Sequence, residues 1–141
     1  MSENVVYDLT DLVVVYSLEN DFEIRGTIEA LAALAELLVA NKAGRLIIEL
    51  IKPQQPAHPY FGFIEKVLIQ NEPHKVVVSR RGDTLVITGD DESLSSFAKT
   101  IKWLATHTSN TNSHLHVDFY PEHPYLEPSS SPLVVSVVEP K

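Results

Sequence analysis

Leu12-Val13-Val14-Val15-Tyr16-Ser17-Leu18-Glu19-Asn20-Asp21-Phe22-Glu23-Ile24-Arg25-Gly26-Thr27 sets out the fold in miniature. Its β-branched opening reads as a strand, Glu19-Asn20-Asp21 as a turn, and Phe22-Glu23-Ile24 as a short return strand with alternating faces. Gly26 punctuates, Thr27 is placed to cap a helix, and Glu29 lies in the first turn, where the helix dipole favours an acid. Ile28, Leu31, Leu34, Ala35 and Leu38 keep helical spacing, which predicts a helix ending near Asn41–Gly44. Leu46 to Ile51 then reads as a largely buried strand, Pro53 to Pro59 as a loop, and Phe63 to Ile69 as a further strand.

The same order returns downstream. Val76-Val77-Val78 reads as a strand, Arg81-Gly82-Asp83 as a turn and Leu85-Val86-Ile87 as a return strand. Asp90, Asp91 and Glu92 stand at the start of a helix whose apolar face is Leu94, Phe97, Ala98, Ile101, Leu104 and Ala105. Leu115 to Tyr120 and Leu133 to Val138 are strands around a loop from Pro121 to Pro132. Displaced by 63 positions without a gap, Val13, Val14, Val15, Ile24, Gly26, Glu29, Leu31 and Ala35 meet identical residues in the second segment. Both segments run on into a His-Pro-Tyr loop, His58-Pro59-Tyr60 and His123-Pro124-Tyr125. This pattern predicts an internal duplication, with units about 12–70 and 75–139. Convergence of two amphipathic units on Val, Leu and Gly explains less, because it leaves the repeated His-Pro-Tyr without a cause.

Each unit is thus a strand–strand–helix–strand–strand (ββαββ) repeat whose helix cannot bury its stripe alone. The expected fold is α+β: one mostly antiparallel sheet of about eight strands with two helices on one face. A chain of 141 residues suits a single domain over 1–141. No cysteine is present, which excludes disulfides and thiolate metal sites and favours an intracellular address. The opening residues lack a basic segment followed by an apolar one, and no apolar run approaches membrane-spanning length, so the expectation is a cytoplasmic protein without a membrane partner.

Net charge is −8, which argues against nucleic acid as a partner. The charge is uneven. Residues 1–29 carry seven acids against Arg25 alone, and residues 103–140 carry Asp118, Glu122, Glu127 and Glu139 without a Lys or Arg. Such faces either keep the protein soluble or steer a basic partner.

His114-Leu115-His116-Val117-Asp118-Phe119-Tyr120 is the most distinctive chemistry. Strand alternation puts Leu115, Val117 and Phe119 on the core side and His114, His116, Asp118 and Tyr120 on the other. Two histidines at i and i+2 can share a metal, and Asp118 can join them, but no third histidine completes a compact motif. Asp118 and His116 also have the makings of an acid–base pair. The chain has no nucleophile elbow, phosphate-cradling glycine loop or paired-metal motif, so catalysis is not expected and neither is a cofactor. His123 and Tyr125 sit at the loop end, where Tyr packs an aromatic body while its hydroxyl stays wet. Trp103 interrupts the polar side of its helix and reads equally as core or as an interface anchor.

The stretch Leu85-Val86-Ile87-Thr88-Gly89, the helix from Ser93 through Leu104, His114 to Pro121, and Ser129-Ser130-Ser131-Pro132-Leu133-Val134-Val135 together resemble the immunity protein 32 family of bacterial polymorphic toxin systems. The resemblance covers roughly residues 84–138. It implies a non-catalytic protein that neutralises a cognate toxin domain by direct binding, and an acidic immunity protein suits a basic toxin. The residues chosen for that contact are His114, His116, Asp118, Tyr120, His123 and Tyr125. The alternative is a metal- or small-ligand-binding regulatory domain built on the same His-x-His-x-Asp strand.

Overall fold

The computed structural model describes residues 4–40, 44–51, 53, 60–107 and 113–139. In chain order the elements are β1 (Asn4–Leu9), β2 (Leu12–Tyr16), β3 (Phe22–Gly26), α1 (Ile28–Ala40), β4 (Arg45–Leu50), β5 (Gly62–Phe63) and β6 (Lys66–Asn71). They continue with β7 (Val77–Arg81), β8 (Thr84–Gly89), α2 (Asp91–His107), β9 (His114–Val117) and β10 (Leu133–Val137). Thr27 caps α1 by accepting the Ala30 N–H at 3.1 Å, and Asp90 caps α2 by accepting the Ser93 N–H at 2.7 Å. The β7–β8 hairpin closes through Gly82, whose φ of +63° favours a residue without a side chain.

The strands do not form the single antiparallel sheet expected from local repeats. They form two mixed five-stranded sheets, one ordered β1-β4-β6-β8-β7 and the other β5-β2-β3-β10-β9. The difference has one physical source. Each half sends its helix-crossing connection into the other sheet, so the hairpin of one half pairs with the last two strands of the other. The joining pairs, β6–β8 and β10–β3, are parallel, as is β1–β4. The two helices pack against each other, and buried side chains of both sheets and both helices form one core.

Strand sense agrees between the two sheets, and register agrees across β4-β6-β8 and β9-β10-β3; the hairpins differ by one residue, since Val14 pairs with Ile24 but Val78, not Val77, pairs with Ile87. Strands β4-β6-β8-β7 occupy the places that β9-β10-β3-β2 occupy in the other, with the same parallel and antiparallel neighbours. Hydrogen bonds outside the ladders recur as well. The Thr27 N–H donates to the Asp11 carbonyl and the Asp90 N–H to the His74 carbonyl. The Val138 N–H donates to the Gly26 carbonyl and the Glu72 N–H to the Gly89 carbonyl, both at 2.9 Å.

Three further expectations change. Phe63 to Ile69 is not one strand: β5 belongs to one sheet and β6 to the other. The strand expected over Leu115 to Tyr120 ends at Val117, and Phe119, expected in the core, is 37% exposed. β1, which the periodicity did not mark, adds a strand beside β4. His58 and Pro59 of the first His-Pro-Tyr motif lie outside the described residues.

Gly89 ends β8 where a side chain would be crowded. A Cβ there would stand 3.1 Å from the Cα of Val76. Backbone cannot rotate aside, so Gly89→Ala is expected to cost about 1–3 kcal/mol, read as a lower midpoint in urea with an unchanged m-value.

Candidate functional site

The outer face of the β5-β2-β3-β10-β9 sheet gathers polar side chains from segments far apart in sequence. Pairing places His116, Val134 and Glu23 in one row across β9, β10 and β3, and His114, Ser136 and Arg25 in the next. His114 and His116 are exposed, with ring centroids 5.4 Å apart in an edge-to-face arrangement. They border a depression of about 430 Å³ that Glu23, Arg25, Tyr60 and Ser136 also line. A second depression of about 400 Å³ shares Tyr60, His116 and Val134 with it and adds Asp21 and Asp118.

Glu23 is the organising group. The Ser136 hydroxyl donates to its Oε2 at 2.7 Å and Arg25 Nη2 donates to its Oε1 at 3.1 Å. Burial alone would raise the Glu23 carboxyl. Hydrogen bonds from Ser136, Arg25 and Tyr60 outweigh it and hold the group below its ordinary value. Tyr60 is pushed up by burial and by its hydrogen bond to Glu23. Arg25 also lies over the Tyr60 ring, 5.5 Å from its centroid. Glu23 therefore stays ionised, and Arg25 is already committed to it. In the first depression Arg25 balances Glu23, while Asp21 and Asp118 leave the second acidic.

The sequence-derived residues separate into two groups. His114, His116 and Asp118 line the depressions. His123 and Tyr125 are buried instead. His123 Nδ1 accepts the N–H of Tyr125 and that of Leu126, each at 3.1 Å. Burial, together with the nearby Lys75 charge, holds this imidazole below its ordinary value, in keeping with an acceptor nitrogen. Tyr125 packs on Phe97 of α2 with centroids 5.9 Å apart and donates its hydroxyl hydrogen bond to Thr100 Oγ1. Tyr120 is 54% exposed and lies against the His123 ring at 4.5 Å. Trp103 is on the surface, stacked on His107 at 4.9 Å.

Glu23, Arg25 and Ser136 were absent from the sequence-derived set. The alternation Phe22-Glu23-Ile24-Arg25 already marked Glu23 and Arg25 as outward-facing. Nothing in it said that β3 would pair with β10. Among the described residues, no group of three or more His, Cys, Asp or Glu is placed to hold a metal ion. Nor is any helix among them long and apolar enough to cross a membrane.

The equivalent face of the other sheet is chemically opposite. Arg45, Ile47, Lys66, Leu68, Arg81 and Val86 line a depression of about 220 Å³ there. By strand position Arg45 and Ile47 stand where His114 and His116 do, and Val86 stands where Glu23 does. The acidic, histidine-bearing character therefore belongs to one face and not to the scaffold.

Comparison with known proteins falls on the half that carries this strand. Residues 84–138 match the family model of immunity protein 32. The immunity protein 32 match takes in β8, α2, β9 and β10, and so contains His114, His116 and Asp118. No curated protein matches the chain.

Proposed function

We propose that the protein is a cytoplasmic, non-catalytic immunity protein that neutralises a cognate bacterial toxin domain by binding it through the face bearing His114, His116 and Asp118. The observation that carries this reading is the coincidence of the immunity protein 32 match with the histidine-lined depressions on that face, one of them acidic. Glu23, Arg25 and Tyr60 join the set, and Tyr120 stays in it as an exposed aromatic. His123 and Tyr125 serve by fixing the loop. The excess of carboxylates selects a toxin with a basic contact surface, whose association is steered by charge and slowed by salt. The repeated ladder and cap hydrogen bonds support descent of the two halves from one duplicated unit, with only the second keeping the histidine pair.

The test is co-expression with the product of the adjacent gene, followed by affinity measurement on the complex. His114→Ala/His116→Ala is expected to weaken binding at least about tenfold, equivalent to about 1.4 kcal/mol, with unchanged thermal unfolding. Full-strength binding and full protection by this variant would remove the histidines from the interface.

A further inference from the structure

From the open edge of β9 we infer a second mode of recognition, which rests on the toxin-binding reading above: β9 takes up an extended segment of the toxin as an added parallel strand. The argument begins with the correspondence between the sheets. β9 holds the position that β4 holds in the other sheet. Beyond β4 lies β1, paired in parallel from Asn4↔Arg45 to Leu9↔Leu50. Beyond β9, among the described residues, no strand is paired. The scaffold therefore accommodates a parallel strand at this place, and in one of the two sheets the chain supplies it.

Hydrogen-bond direction agrees. The Val137 N–H donates to the Ser113 carbonyl at 2.8 Å, which makes Ser113 and Val137 a hydrogen-bonded pair. Such pairs recur at every second residue of an antiparallel ladder, so the peptide groups of Leu115 and Val117 are directed at β10. Those of His114 and His116 are directed outward. In the other sheet the Asn71 N–H donates to the Gly44 carbonyl, which by the same alternation turns Arg45 and Ile47 toward β1. The remaining edges differ. β2 is flanked by β5, and the β7 edge is covered by the loop that follows His123: the Val76 N–H donates to the Tyr125 carbonyl and the Ser131 N–H to the Val78 carbonyl. β1 itself is the outermost strand of its sheet and does not border the acidic face.

The occupant's chemistry follows from the two sides of β9. Leu115 is partly buried against the core, and His114 and His116 flank depressions lined by Asp21, Glu23 and Asp118. The added segment alternates apolar residues beside Leu115 with basic residues beside the histidines. Main-chain hydrogen bonds supply affinity and the alternate side chains supply selection.

Proline separates this from contact through side chains alone. His116→Pro removes an outward N–H that no strand among the described residues uses, at an edge position that tolerates proline. With the adjacent gene product as probe, His116→Ala is expected to weaken the complex about tenfold and His116→Pro at least about a hundredfold. The wild-type complex is expected to slow amide exchange at His114 and His116. Equal affinities for the two variants, together with unprotected amides at both histidines in a complex that does form, would overturn the strand while leaving the immunity reading intact. Absence of any complex would end both. A free protein that dimerises with those same amides protected would make a second copy the occupant and overturn the assignment to the toxin.

Discussion

Replacing His123 with alanine is expected to lower the unfolding free energy by about 2–4 kcal/mol, as two buried donors lose their acceptor at about 1–3 kcal/mol each. The Tyr125 and Leu126 amides both point at one ring nitrogen, 3.1 Å away. The ring also fills the space between Tyr120 and Tyr125, at centroid distances of 4.5 and 4.6 Å. Its loss frees the segment that covers the outer edge of β7, so damage spreads from the loop to the sheet. His123→Asn, which restores an acceptor near the Nδ1 position, is expected to recover part of the loss. Chemical denaturation reads all three proteins, and a loss below about 0.5 kcal/mol for the alanine variant would show that the amides find other partners.

The same residue sets a pH dependence. The folded-state imidazole is held below its ordinary value, so the unfolded chain takes up a proton first. Stability is complete above about 6.5, the ordinary imidazole value, and falls as pH drops from there toward the depressed folded value. His123→Asn is expected to flatten that limb.

Phe97→Ala is expected to cost about 3–5 kcal/mol, the largest effect of any substitution considered. Phe97 is fully buried at the centre of α2 and stacks on Tyr125. It stands where Leu34 stands in α1, one of the places at which the halves differ in volume. Alanine leaves a cavity beneath the His123 loop, and the melting temperature is expected to fall on the order of 10 °C. Phe97→Leu keeps most of the apolar volume and is expected to lose less than half as much. Scanning calorimetry distinguishes the two.

Local chemistry was legible in the sequence, and partnership was not. Thr27 acts as the cap its position predicts, Asp90 caps the helix at whose start the sequence places three acids, and the strands and helices around them lie where periodicity puts them. The alternation of His114, Leu115 and His116 gives their outward and inward faces correctly. Failures begin where a residue depends on a distant one. Ile64 and Glu65 separate two strands that part company into different sheets, and an apolar run carries no mark of which sheet it joins. Asp118 and Phe119 follow the ladder's end, which is set by where Leu133 begins β10. Glu23 and Arg25 looked like ordinary polar positions of a hairpin, and only the parallel pairing of β3 with β10 brings them beside the histidines.

The exchange of strands between halves has a consequence for synthesis in the cell. β10 is the neighbour of both β3 and β9, so the hairpin made first waits, one edge bare, until residues 133–137 leave the ribosome. A polypeptide stopped before Leu133 cannot complete the sheet that carries the acidic face. Translation must pass that point before this sheet can close, and a truncated product is expected to aggregate or be degraded.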